Sequence, residues 1–316
     1  MLTQGQKFLL KICISVFLLV WVFTKIKWEL LLSSLGEIDV LFYIISTLFT
    51  FFSIIIVACK YYLLINNTQI RRSIPFLIKI NIIGRYYALF LPSAVGQAVV
   101  RWFKVTRNQK GRVFFAAATL FERLTFIFTL LLFCILPLIY YPEEPDILSF
   151  RSKILPLMIL IFIVSILFLL YFIFPAIQVW FGQLLSRIPV LKNKSNDIHF
   201  FLTKFSLSQV RPGFLLNIFI LSLIFQTCFL GRLFFLIKGS YIPLAFWDIA
   251  WIGSLVLFLQ ILPVSLAGIG VREGAYAFLF SLFGLPPEKG VLIGILLFSQ
   301  MLIFAGIGGV LEYFEK

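Results

Sequence analysis

The chain has 316 residues, 61% of them hydrophobic and 13% charged, with 27 Lys plus Arg against 13 Asp plus Glu. A soluble domain is about 45–50% apolar, so the composition excludes a soluble globular enzyme and describes a polytopic integral membrane protein. The net charge of +14 then belongs to loops facing an anionic leaflet, not to a nucleic-acid partner.

A helix needs ~20 apolar residues, with a range of about 17–25, to cross the hydrocarbon core. Six stretches reach that length: Phe8–Thr24, Val40–Ile65, Val113–Tyr141, Ile154–Phe174, Phe214–Ile237 and Val291–Leu311. The first is too long for a signal-peptide core and is followed by Lys25-Ile26-Lys27, so no cleavable signal is expected. Two further stretches, Phe76–Leu91 and Trp247–Leu262, have 16 residues each, and each stops at a Leu-Pro pair. They read as half-helices.

Positive charge gathers at Lys7 and Lys11, at Arg71 and Arg72, from Arg101 through Lys104, Arg107 and Lys110 to Arg112, and from Arg187 to Arg211. By the positive-inside rule these segments face the cytoplasm, and the Glu143, Glu144, Asp146 segment faces out. Both sides of Phe76 to Val100 are then cytoplasmic, so that stretch dips in and returns. The expected fold is all-α: six transmembrane helices plus two re-entrant half-helix hairpins, with both termini inside. Half-helices at membrane depth are tolerated only against protein or a water-filled cavity.

The two Leu-Pro junctions match, from Leu91-Pro92 through Gly96 to Val100-Arg101 and from Leu262-Pro263 through Ser265, Gly268 and Gly270 to Val271-Arg272. The prolines lie 171 positions apart, the preceding spans start 174 apart and the following spans about 178 apart. Such spacing predicts a duplicated unit within one integral membrane domain, 1–141 and then 142–316. Each unit has three crossings, and that odd number inverts the second copy. Inverted-repeat transporters place their sites where interrupted helices meet near the midplane. Pro92 and Pro263 end helices there, and Gly96, Ser265, Gly268, Gly270 and Gly274 allow turning and close approach.

Charges at depth are costly, ~2.5–3.5 kcal/mol on insertion scales. Arg85, Arg101, Glu122, Arg123, Arg272 and Glu273 fall there and form the candidate cavity set. Arginine's planar fork suits a phosphate head group. The same residues also suit structural ion pairs across helices, Glu122 with Arg85 or Glu273 with Arg101. Lys11, Lys60 and Lys79 read as snorkelling. Asn81, Gln226, Arg232, Asp248, Gln260 and Gln300 fit either a cavity lining or interhelical hydrogen bonding, and the four cysteines, Cys13, Cys59, Cys134 and Cys228, sit singly inside apolar runs. With one histidine, His199, in a polar loop, no catalytic triad, metal site or cofactor is expected. Gly290 with Gly294 and Ala305 with Gly309 are small-residue pairs that suit close packing of the last helix.

Leu91-Pro92 through Gly96 to Arg101, Glu122-Arg123-Leu124, and above all Pro263-x-Ser265-x-x-Gly268-x-Gly270-x-Arg272-Glu273-Gly274 resemble the flippase-like membrane region of the lysylphosphatidylglycerol synthases and its stand-alone relatives. Gln97 departs from the pattern, standing where many relatives have a second glycine. The resemblance covers nearly the whole chain. It implies movement of an amphipathic lipid, anionic, aminoacylated or polyprenyl-linked, between leaflets of the cytoplasmic membrane. The soluble synthase domain of those proteins has no counterpart in these residues, so lysyl-lipid synthesis is not expected. The partners expected are membrane lipids, and no P-loop is present to supply nucleotide energy. Two rivals remain: a scaffold for a lipid-modifying enzyme, and an intramembrane transferase using Glu122 or Glu273 as base.

Overall fold

A proline ring pushes the residue before it out of the helical region. Leu91, before Pro92, has φ −92° and ψ 135°, and Leu262, before Pro263, has φ −65° and ψ 131°. Both half-helices therefore end where the Leu-Pro pairs predict. The computed structural model describes residues 20, 24, 27–66, 70–91, 93–107, 112–140, 145–174, 176–177, 179–180, 212–262, 265 and 267–315. Among them the helices run α1 (Trp28–Gly36), α2 (Val40–Asn66), α3 (Ile74–Phe90), α4 (Ser93–Thr106), α5 (Arg112–Tyr140), α6 (Pro145–Ile173), α7 (Pro212–Gly239), α8 (Phe246–Ile261), α9 (Val271–Ser281) and α10 (Pro287–Tyr313).

Five apolar segments, Val40–Ile65, Thr119–Tyr140, Ile147–Tyr171, Gly213–Gly239 and Pro287–Tyr313, are long enough to cross a bilayer. Large apolar side chains point outward from them, as Leu160 and Leu167 do from α6 at 58% and 59% exposure. Against lipid tails such exposure costs nothing. The chain is a multi-pass membrane protein. Helices α3 and α8, with 17 and 16 residues, extend only about 25 Å at 1.5 Å per residue, so neither spans a core of about 30 Å alone.

Three sequence expectations change. Helix α6 starts at Pro145, not at Ile154, because proline at a first helical position gives up no hydrogen bond. Arg151 is therefore helical, and its Nη2 donates to the Ile139 carbonyl 3.0 Å away, tying α6 to α5. Helix α1 was not anticipated. It has nine residues, and it packs its buried Leu31 beneath α10 while the Lys27 N–H donates to Glu288 Oε1 at 3.1 Å. Finally, Lys60 does not snorkel, as described below. The expected span Phe8–Thr24, apart from positions 20 and 24, and Lys11, His199, Pro92, Pro263 and the basic 187–211 segment lie outside the described residues.

The buried apolar side chains form two large clusters and a small one. The first large cluster joins Tyr61, Leu64, Ile80, Ile83, Val105 and Phe121 of α2–α5 with Ile218 of α7, the second joins Leu233, Trp251, Tyr276, Phe280 and Val291 of α7–α10 with Leu131 and Leu138 of α5, and Ile54, Ile82 and Phe304 form the small one. The helix neighbours come in matched sets. Helix α2 packs along α7. Helix α3 packs on α10 as α8 packs on α5; α4 packs on α3 and α5 as α9 packs on α8 and α10. Close approach is built with glycine: Gly290 faces the Tyr276 backbone of α9, and Gly308 faces the Ile82 carbonyl of α3. Polar side chains fasten α3 and α4 to the C-terminal end of α10, where Lys104 Nζ of α4 lies 2.6 Å from Glu312 Oε2 and the Tyr87 hydroxyl of α3 donates to Glu312 Oε1 at 2.8 Å.

Candidate functional site

Polar residues three or four apart share one face of a helix. Asn81 and Arg85 do so on α3, Gln97 and Arg101 on α4, and Glu122 and Phe126 on α5. The three faces converge, with Arg123 and Phe225, on a cavity of about 110 Å³. Arg85, Gln97, Arg123, Phe126 and Phe225 also border a second cavity of about 260 Å³, which Arg232 of α7, Gln260 of α8 and Gly268 of the α8–α9 link close from the other half. The two spaces share a wall of side chains and lie between the hairpins. The lining mixes guanidiniums with the phenylalanines Phe49, Phe126, Phe225 and Phe229.

Backbone geometry in the α8–α9 link depends on glycine. Ala267, Gly268 and Gly270 have φ of 51°, 74° and 80°, in a region where a side chain is strained. A Cβ at Gly268 would sit 3.1 Å from Gln260 Cγ, inside the cavity wall. The chain then enters α9, where Glu273 Oε2 accepts the Gly270 N–H at 2.7 Å and caps the helix.

The charges pair differently from the expected cross-helix pairs. Glu122 binds neither Arg85 nor another arginine. Its Oε1 lies 2.5 Å from Lys60 Nζ of α2, and Lys60 is 1% exposed. Glu273 binds its neighbour Arg272, whose Nε donates to Oε1 at 3.0 Å, and not Arg101. Although adjacent helical positions diverge by ~100°, the long guanidinium of Arg272 bends across that angle because the cap fixes the carboxylate. Arg272 and Glu273 border neither of the two cavities.

The remaining arginines meet neutral groups. Arg101 is 6% exposed, donates from Nη1 to Asn81 Oδ1 at 3.1 Å, and stacks over the Tyr61 ring at 5.1 Å. Its Nε, and Asn81 Nδ2 beside it, are buried donors without a hydrogen-bond partner among the described residues. Arg85 lies over the Phe304 ring at 5.7 Å. Arg232 donates from Nε to Gln300 Oε1 at 2.7 Å and from Nη2 to the Leu297 carbonyl at 3.0 Å. Neither Arg85 nor Arg123 forms an ion pair with a carboxylate among the described residues.

The family model described as the lysylphosphatidylglycerol synthase TM region matches residues 8–309, nearly the whole chain. The chain belongs to that family. No curated protein and no solved structure gives a match.

Within this synthase TM region the sequence-derived set divides. Arg85, Arg101, Glu122 and Arg123 meet at the smaller cavity, and Gly268 borders the larger one with Arg85 and Arg123. Arg272, Glu273, Gly270 and Gly274 build the start of α9, Gly274 N–H donating to the Gly270 carbonyl at 3.0 Å. Ser265 is buried in the link, and Gly96 lies within α4. Of the undecided polar residues, Asn81, Arg232 and Gln260 border the cavities. Asp248 Oδ2 accepts the Ala245 N–H at 2.9 Å and caps α8, while Gln226 donates to Ser254 at 3.2 Å. Lys60 is the residue that sequence reasoning missed. It lies six residues from the end of α2, and so looked able to reach water, but the buried carboxylate of Glu122 holds it inside.

Proposed function

We propose that the chain is a lipid translocase of the cytoplasmic membrane, moving a head group through the two adjoining cavities while the acyl tails stay in lipid. The observation that carries this reading is the cavity itself, lined by both guanidiniums and phenylalanines and bordered by α3 and by the α8–α9 link. An amphipathic ligand matches both kinds of side chain. Arginines supply forked donors to phosphate oxygens, and aromatic rings cover the glycerol or first methylenes.

The same reading takes α2–α5 and α7–α10 as copies in inverted orientation, with hairpins re-entering from opposite faces and both termini cytoplasmic. The matched neighbours support it, and so does a buried polar pair. Lys60 of α2 meets Glu122 of α5 at 2.5 Å, and Arg232 of α7 meets Gln300 of α10 at 2.7 Å. Glu122 and Gln300 lie 178 positions apart, the offset of the spans that carry them. Rocking one unit against the other would alternate access, driven by an ion gradient, the membrane potential or mass action. A scaffold for a lipid-modifying enzyme has no use for buried arginines without counter-charges, and a transferase would use Glu122 as a base, a role for which its contact with Lys60 is unsuited.

The test is leaflet exchange of head-group-labelled lipids in proteoliposomes. Folded wild-type protein is expected to exchange lipid above empty vesicles, and Arg85→Gln, Arg123→Gln protein is expected to lose at least tenfold in rate. No exchange by the wild type for any lipid class would overturn the translocase reading in favour of the scaffold.

A further inference from the structure

Four guanidiniums, those of Arg85, Arg101, Arg123 and Arg232, border the two adjoining cavities, against the single carboxylate of Glu122. That carboxylate is already matched by the ammonium of Lys60. Arg101 and Arg232 direct their hydrogen bonds to neutral amide and carbonyl oxygens, and those bonds leave their charge uncompensated. Elsewhere in the same hairpins the fold does neutralise an arginine, since Arg272 is held by Glu273. The surplus positive charge is therefore local to the cavity.

We infer that the site takes a compact, phosphate-bearing head group with net negative charge, a phosphomonoester or a diphosphate, and rejects the cationic aminoacyl head group for which the family is named. This inference rests on the lipid-translocase reading and narrows its substrate. Uncompensated charge in a low-dielectric site is costly until a counter-charge arrives. A phosphomonoester or diphosphate brings more than one negative charge, with acceptor oxygens for Arg101 Nε and Asn81 Nδ2, the donors unpartnered among the described residues. A lysyl ester brings two ammonium groups next to four guanidiniums, and like charges placed together cost several kcal/mol.

Size points the same way. The two spaces, about 110 and 260 Å³, together reach only the lower end of the ~300–1,000 Å³ of small-molecule pockets. A phosphate and its linkage fit there, and an oligosaccharide does not. The phenylalanines in the lining, Phe49, Phe126, Phe225 and Phe229, assign the phosphate to a lipid and not to a free anion.

Binding separates this inference from transport. Purified protein in neutral detergent is titrated with phosphatidic acid, phosphatidylglycerol, lysylphosphatidylglycerol and inorganic pyrophosphate, and stabilisation is read as the shift in thermal unfolding. The expected order is phosphatidic acid first and phosphatidylglycerol second, with lysylphosphatidylglycerol at least about tenfold weaker than phosphatidic acid. Arg85→Gln, Arg123→Gln protein should lose about tenfold or more for phosphatidic acid, whereas Lys238→Gln, an exposed charge outside the cavities, should bind like the wild type. If the double variant unfolds early, the single variants provide the same comparison. Lysylphosphatidylglycerol binding as tightly as phosphatidic acid, or a preference unchanged in the arginine variants, would overturn the inference. Pyrophosphate binding as tightly as the lipid would overturn the assignment to a lipid. A wild type that binds with the expected order but moves no lipid would instead count against translocation alone.

Discussion

Lys60 and Glu122 show what a buried charge demands of its neighbour. Taking one partner away leaves the other uncompensated, at a cost of about 3–5 kcal/mol, whereas replacing both is often nearly neutral. Lys60→Met is expected to lower the unfolding temperature in detergent sharply, and Lys60→Met, Glu122→Gln to recover most of the loss. A double variant no better than the single one would show that the pair is not the source of the effect. The partner choice was not legible in the sequence. Glu122 had several cations within plausible reach, and the winner was set by which helix faced it, which no spacing along one chain records. The cavity residues Arg85, Arg101 and Arg123 were legible as charges at depth, but the convergent faces were not: Asn81 stood undecided and Gln97 was noted only as a departure from the family pattern, although each lies one helical turn from its arginine.

At the scale of elements, glycine decides how near two helices come. A Cβ on Gly308 would meet the Ile82 carbonyl oxygen and would lie 3.2 Å from the Ile83 Cα, whereas one on Gly306 would meet nothing within 4 Å. Gly308→Val is expected to cost about 1–3 kcal/mol by overpacking α3 against α10, and Gly306→Ala to leave thermal unfolding unchanged. Equal behaviour of the two variants would refute this packing account. The α8–α9 link is sensitive for another reason. At Gly268, φ 74° strains any side chain and Gln260 leaves no room, so Gly268→Ala should slow exchange as well as lower stability. Both half-helix ends were legible, because the Leu-Pro pairs carry their own backbone preference. The start of α6 and the whole of α1 were not. Proline is as acceptable at a helix start as after a helix end, and nine residues are too few to show a period.

The whole molecule is tested by which face each hairpin opens to. Single cysteines placed at Ser73 and Arg107, which flank the first hairpin, are expected to react with an impermeant thiol reagent only from the cytoplasmic side. Cysteines at Tyr241 and Gly284, which flank the second, should react only from outside, in a background lacking native cysteines. Labelling of all four from one side would sink the inverted repeat. The expectation of duplication rests on three similar offsets in the sequence, which do not show which helices pack together. Helices α3 and α10 pack together, as α8 and α5 do, so on the proposed reading each hairpin is clasped by the other unit's last span.

Helices α2 and α7, counterparts on the proposed reading, touch one another, with the Phe49 ring against Gly231 and Phe42 against Gly239. Any rotation exchanging the two halves must pass between them. When one half tilts against the other, a point moves in proportion to its distance from that line, so this seam acts as a fulcrum and the hairpin tips travel furthest. A covalent tether across the seam, between positions 49 and 231, should leave turnover intact, whereas a tether between α3 and α10 should stop it.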